Sequence, residues 1–257
     1  NTAFTNKTRP RFEPKAGIWA PDINYINGKY VLYYAMSVWG GEQTCGIGVA
    51  TANSPQGPFT DHGKMFRSNE IGVQNSIDPS LLQYEGRNYL VWGSFRGIYV
   101  IELTADGLSI MSGAKKKRIA GTAFEAVYIH KHGDYYYMFA SIGSCCQGVK
   151  STYKVVVGRS KKVWGPYKDK TGKPMLKNGY SLVIGANDHF VGNGHGSQII
   201  QDDAGQDWLL YHGFSRSTPE NGRILLLDQI KWDQEGWPYV EGGSPSYETQ
   251  KAPVFNN

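Results

Sequence analysis

Four stretches of this chain share one order: a segment bearing an acidic residue or histidine, a turn, then an aromatic-rich strand. They read Ala20-Pro21-Asp22-Ile23 before Gly28-Lys29-Tyr30, and Ile77-Asp78-Pro79-Ser80 before Gly86-Arg87-Asn88-Tyr89. The other two are Phe124-Glu125-Ala126-Val127 before Gly133-Asp134-Tyr135, and Gly194-His195-Gly196-Ser197 before Gly205-Gln206-Asp207-Trp208. The leading residues Asp22, Asp78, Glu125 and His195 lie 47 to 70 positions apart. A strand repeat of this length marks a β-propeller, whose blades bury their faces only by packing on neighbours. Equivalent positions on successive blades converge, so the repeat is expected to gather these four residues into one site.

Each unit then supplies two further strands. The second strands are predicted at Tyr30–Ala35, Tyr89–Gly93, Tyr135–Ala140 and Trp208–His212, and the third at Gly46–Ala50, Ile98–Glu102, Tyr153–Gly158 and Arg223–Leu227. All are short β-branched or aromatic runs entered through turns. Ser54–Asp61 and Lys162–Asp169 echo each other as Gly-Pro-aromatic turns leading to an outer strand. An apolar period of 3.6 never persists over about twelve residues, so helices are expected to be few.

Composition narrows the partners. The chain carries 17 tyrosines, 7 tryptophans and 32 glycines, which suits strands joined by tight turns. Its net charge is +5, with a basic run at Lys115–Arg118. That run reads as a solvated loop between blades, and with no accompanying motif nucleic acid is not expected as a partner. The three cysteines, Cys45 and the adjacent Cys145 and Cys146, form neither a disulfide framework nor a zinc spacing. The adjacent pair is expected to shape a loop near a cleft, a vicinal disulfide being one form it can take. No apolar run reaches the roughly 20 residues of a membrane span. A single propeller domain over residues 1–257, monomeric and without an organic cofactor, is the expectation.

Several motifs together resemble glycoside hydrolase family 43. They are Trp19-Ala20-Pro21-Asp22-Ile23, Ile77-Asp78-Pro79-Ser80, Phe124-Glu125-Ala126, Val157-Gly158-Arg159-Ser160 and Gly194-His195-Gly196-Ser197. Ser144-Cys145-Cys146-Gln147-Gly148 with Ser151-Thr152-Tyr153 is similar to the endo-α-1,5-L-arabinanase branch. The resemblance covers Ile18 to about Tyr239. It implies an all-β, five-bladed β-propeller, of which four blades are visible here, with most of an N-terminal blade expected upstream of Asn1. It implies inverting hydrolysis of the α-1,5-linked arabinan of plant cell-wall pectin by a secreted, extracellular or periplasmic enzyme. Glu125 matches the general acid and Asp78 the aspartate that tunes and orients it. No Asp-Pro precedes Trp19, so the general-base aspartate is expected outside this chain. An axial calcium or sodium ion is implied near His195, directly or through water.

The residues support those roles on physical grounds. Inversion needs two carboxyl groups far enough apart to admit a water, and the acid must hold its proton near neutral pH. Glu125 opens an apolar strand start, where an unpaired glutamate would be costly. Asp22 is placed either to line the pocket or to brace its blade. Trp19, Trp39 and Phe95 sit beside turns as candidate sugar-stacking aromatics. Asn75 and Ser94 are candidate donors to sugar hydroxyls, and Cys145 and His212 are further candidates at the cleft. Three rivals remain: an exo-acting arabinofuranosidase or β-xylosidase of the same family, a non-catalytic carbohydrate-binding propeller, and a protein-interaction propeller. The last leaves acidic residues at three blade starts unexplained.

Overall fold

The structure is a computed structural model and describes residues 2–256. Four antiparallel sheets follow one another along the chain, each with its strands in sequence order. The first contains β1 (Gly17–Ile26), β2 (Lys29–Ser37), β3 (Gly46–Ala52) and β4 (Thr60–Arg67). The short helix α1 (Ser68–Ile71) leads to the second: β5 (Ser80–Tyr84), β6 (Arg87–Trp92), β7 (Ile98–Glu102) and β8 (Lys117–Ala120). The third holds β9 (Glu125–His132), β10 (Tyr135–Ile142), β11 (Lys154–Ser160) and β12 (Ser181–Ile184). The fourth runs β13 (Phe190–Gly194), β15 (Asp207–Ser215), β16 (Arg223–Trp232) and β17 (Pro238–Tyr239), with β14 (Ile200–Gln201) pairing β15. These are four blades of an all-β propeller. The predicted second and third strands are all present, with ends displaced by at most five residues.

Turn chemistry sets the registers. Asn27 and Gly28 both have positive φ (48° and 81°), as do Glu85 and Gly86 (48° and 72°). Each pair joins two strands through a two-residue loop whose twist matches that of the strands it connects. The echoing Gly57-Pro58 and Gly165-Pro166 bonds are both cis.

The chain divides into two compact units, Asn1–Val127 and Tyr128–Asn257. In the first, Tyr33, Ile47, Leu90 and Trp92 form a fully buried core between the first two sheets. Burying side chains of this size contributes about 1.5–3 kcal/mol each. Their polar tips are paired: Trp92 Nε1 donates to Ser76 Oγ at 3.0 Å, and the Tyr33 hydroxyl donates to the Gly107 carbonyl at 2.9 Å. The other face of the first sheet packs Leu32, Tyr34 and Met36 against Phe4, Phe12 and Ala16 of the N-terminal segment. In the second unit Tyr137, Val155, Leu209, Tyr211 and Trp237 make the corresponding core.

Candidate active site

Within or directly beside the first strand of each sheet lies a residue bearing a Cβ in the left-handed backbone region. These are Ala20 (φ 48°), Asp78 (56°), Ala126 (51°) and His195 (52°). None is glycine, and for a residue bearing a Cβ this conformation costs on the order of 1–2 kcal/mol. Such strain persists only where the surroundings fix it, and it clusters at functional sites. The backbone therefore corrects the alignment read from side-chain acidity. Ala20, Asp78, Ala126 and His195 are the equivalent positions, while Asp22 lies two residues beyond its own and Glu125 one residue before.

By this register Asp22 corresponds to Ser80, and the two side chains behave alike. Asp22 Oδ2 accepts the Leu81 N–H at 2.7 Å, and Ser80 Oγ donates to the Val127 carbonyl at 2.6 Å. Each ties its sheet to the start of the next. Asp22 also accepts Asn24 Nδ2 at 2.7 Å and is 5% exposed, so the observed contacts are those of a brace.

Asp78 and Glu125 come together in the first unit. Asp78 Oδ2 accepts the backbone N–H of Ala126 at 3.2 Å, which fixes the peptide immediately after Glu125. Asp78 is buried, and burial pushes its pKa up to about 7 despite the opposing pull of that hydrogen bond. Glu125 is also buried, and its Oε2 accepts a 2.6 Å hydrogen bond from Ser94 Oγ. Asn75 Nδ2 donates to both Ser94 Oγ (2.9 Å) and the Ser94 carbonyl (3.1 Å). A hydroxyl has a single proton, so the Asn75 donor turns that of Ser94 toward Glu125. Asn75 and Ser94, expected to donate to sugar hydroxyls, are here linked to the Glu125 carboxyl.

Ser94 is itself held by unusual backbone. Gly93 has a φ of 126°, and a Cβ there would run into the Gly97 carbonyl. Phe95 has a φ of 51° and donates its N–H to the Phe124 carbonyl at 2.9 Å, beside Glu125. Asn75, at φ 52°, donates its N–H to the Glu42 carbonyl at 2.8 Å, anchoring the loop between β2 and β3. In that loop the Glu42 carboxylate takes a two-pronged hydrogen bond from Arg96 (2.7 and 2.9 Å), and Trp39 stands 78% exposed. Trp19 is half-buried with its ring folded over Gly17, and Phe95 is half-buried.

The second unit holds the remaining candidates. The His195 N–H donates to Ser141 Oγ at 2.8 Å, and a Cβ on Gly194 would strike the Tyr153 ring. His212 lies between His195 (6.2 Å between ring centroids) and Tyr153 (5.8 Å), near-parallel to both. Burial first, then the nearby His195 and Arg223, pushes the His212 pKa down to about 3. Its Nδ1 is buried without a hydrogen-bond partner. Cys145 and Cys146 are joined as a vicinal disulfide, in a loop latched by Ser144 N–H to Thr152 Oγ1 at 3.0 Å. Cys45 is a buried free thiol packed on Ser68 Oγ at 3.1 Å.

Blade sheets that begin on a strained step, with two buried carboxyl side chains at neighbouring starts, make a site suited to proton transfer. The profile of glycosyl hydrolases family 43 matches residues 1–238, and the chain belongs to that family and is a glycosidase. It is 37% identical to the extracellular exo-α-(1→5)-L-arabinofuranosidase ArbA of Cellvibrio japonicus, over 93% of this chain and 73% of that protein. It is 38% identical to the extracellular endo-α-(1→5)-L-arabinanase 1 of Bacillus subtilis, over 86% of this chain and 68% of that protein. The solved structure of Cellvibrio cellulosa α-L-arabinanase complexed with arabinohexaose superposes with a TM-score of 0.85 at 34% identity. That match covers 95% of this chain and 84% of the other.

Proposed function

We propose that the enzyme hydrolyses α-1,5-linked arabinan with inversion, Glu125 serving as general acid and Asp78 as the residue that orients and tunes it. The observation carrying this reading is the Asn75–Ser94–Glu125 hydrogen-bond relay, with Asp78 buried on the Ala126 N–H. The relay engages Oε2 and so holds the carboxyl that delivers the proton to the departing sugar. The Ser94 hydrogen bond then stabilises the carboxylate that remains. Asp78 holds the peptide next to the acid and, because it is buried, exchanges its own proton near neutrality. Inversion also calls for a carboxylate about 6.5–9.5 Å from the acid to activate water, a role we assign to none of the described residues.

Trp39, exposed in the loop that reaches Asn75, suits stacking on a furanose ring. A calcium or sodium ion takes oxygen ligands, whereas His195 and His212 offer ring nitrogens. These two residues would therefore hold such an ion through its water shell, and the buried Nδ1 of His212 is suited to that contact. The extracellular relatives support action outside the cell, and among the described residues no helix is long and apolar enough to cross a membrane. Relatives named for exo and endo action keep the exo-acting reading as the second one.

The test compares Glu125→Ala with the unaltered chain on linear arabinan and on an aryl arabinofuranoside whose leaving group needs no protonation. Reducing-sugar release from arabinan should fall by about 10²–10⁴-fold, and aryl-arabinoside cleavage far less. Equal losses on both substrates would remove Glu125 from the acid role. Binding of arabinan without any sugar release by the unaltered chain would favour a carbohydrate-binding propeller.

A further inference from the structure

His130 and His132, separated by one residue near the end of β9, share a face of that strand. Asp207, the first residue of β15, meets them there, and one ligand atom from each of the three lies within 4.8 Å of the others. We infer that His130, His132 and Asp207 form a binding site for a divalent first-row transition ion of the zinc type, separate from the Glu125 and Asp78 carboxyls.

The donor set selects the ion. Two imidazoles and one carboxylate suit zinc, copper or nickel, whereas calcium and magnesium take oxygen ligands. In a tetrahedral zinc shell, bonds of about 2.0–2.1 Å put ligand atoms roughly 3.4 Å apart. His132 Nδ1 is already 3.7 Å from Asp207 Oδ2, too far for a hydrogen bond and close to the ligand spacing. Small rotations of two partly exposed rings close the rest, and solvent can complete the shell.

The surroundings hold the ligands as supporting residues do in metal sites. Trp232 Nε1 donates to Asp207 Oδ2 at 2.7 Å, and Gln201 Nε2 donates to Oδ1 at 3.2 Å. The Trp232 ring lies flat against His132 (3.7 Å between centroids, 8° between planes) and near-parallel to His130 at 6.1 Å. Stacking fixes the ring planes and leaves the in-plane nitrogen lone pairs clear of the tryptophan. A bound ion would join the first strand of the third sheet to the β15 strand of the fourth, acting as a staple within the second unit.

The experiment titrates zinc into chelator-treated protein, with heat of binding and thermal denaturation as readouts. Saturable binding of one zinc per chain is expected, with Tm rising about 5–10 °C at a hundredfold excess over Kd. The double variant His130→Gln, His132→Gln should lose at least about 30-fold in affinity and lose the Tm rise, with its far-ultraviolet spectrum unchanged in chelator. His195→Gln should retain both. Absence of saturable binding below about 100 μM zinc, or unchanged binding by the double variant, would overturn the site. Neither readout requires turnover, so the outcome is independent of the proposed hydrolysis.

Discussion

The two units use the same backbone step for different chemistry. In the first unit the left-handed positions are Ala20, Asp78 and Ala126, and the last two fix two carboxyl side chains. In the second the position is His195, which lies beside the buried His212. Burial acts on both in the sense that removes charge: the carboxyl of Asp78 is pushed up and the imidazole of His212 is pushed down. Between about pH 3 and 7 both favour their neutral forms. The fold repeats a conformation, and the identity of the residue placed on it decides what the desolvated site can exchange with substrate or solvent.

The strongest test of this contrast is Asp78→Asn. It should lower arabinan turnover by about 10²–10³-fold while retaining an acceptor for the Ala126 N–H. Asp78 binds its proton more tightly in the folded state, so its contribution to stability is complete below the unfolded carboxylate pKa. That contribution is lost as pH rises from about 4 through 7, a change on the order of 2–4 kcal/mol. Asp78→Asn should therefore raise Tm relative to the unaltered chain at pH 8 and lose that advantage near pH 4. Coincident Tm–pH curves would break the comparison.

His212→Gln probes the opposite slope. The folded-state pKa of His212 is depressed, so its contribution is present above the unfolded histidine pKa of about 6.5 and is lost as pH falls toward 3. The variant should flatten the acid side of the Tm–pH curve by a similar amount and leave the neutral side nearly unmoved. Ser94→Ala is the gentlest change, removing the donor to Glu125 without altering the backbone. A roughly tenfold fall in kcat with KM unchanged is expected, equivalent to about 1.4 kcal/mol for one lost hydrogen bond. A rise in KM alone would return Ser94 to sugar binding.

Much of the fold was legible because strands announce themselves locally. Tyr30–Ala35 and Tyr135–Ala140 are dense in aromatic residues and bounded by glycine turns, and both became central strands. The pairing of Asp78 with the segment at Glu125 followed from the repeat. The register of that repeat did not, because acidity is a property of side chains and the repeated geometry is a property of φ. Ala20 and Ala126 give no sign in their chemistry that they occupy left-handed backbone. The Asn75–Ser94–Glu125 relay was hidden for a related reason: its members are 19 and 31 residues apart and meet only through loops of unusual dihedral angles. The His130-x-His132 spacing was visible in the sequence, but its third partner, Asp207, becomes a neighbour only through tertiary packing.

Strand β9 has Glu125 as its first residue and the two imidazoles near its last. Because side chains alternate along a strand, deleting or inserting one residue within it would turn either the proton donor or the His130–His132 pair to the wrong side. Length changes should therefore be tolerated at the Gly133–Asp134 turn that follows and rejected anywhere between residues 125 and 132.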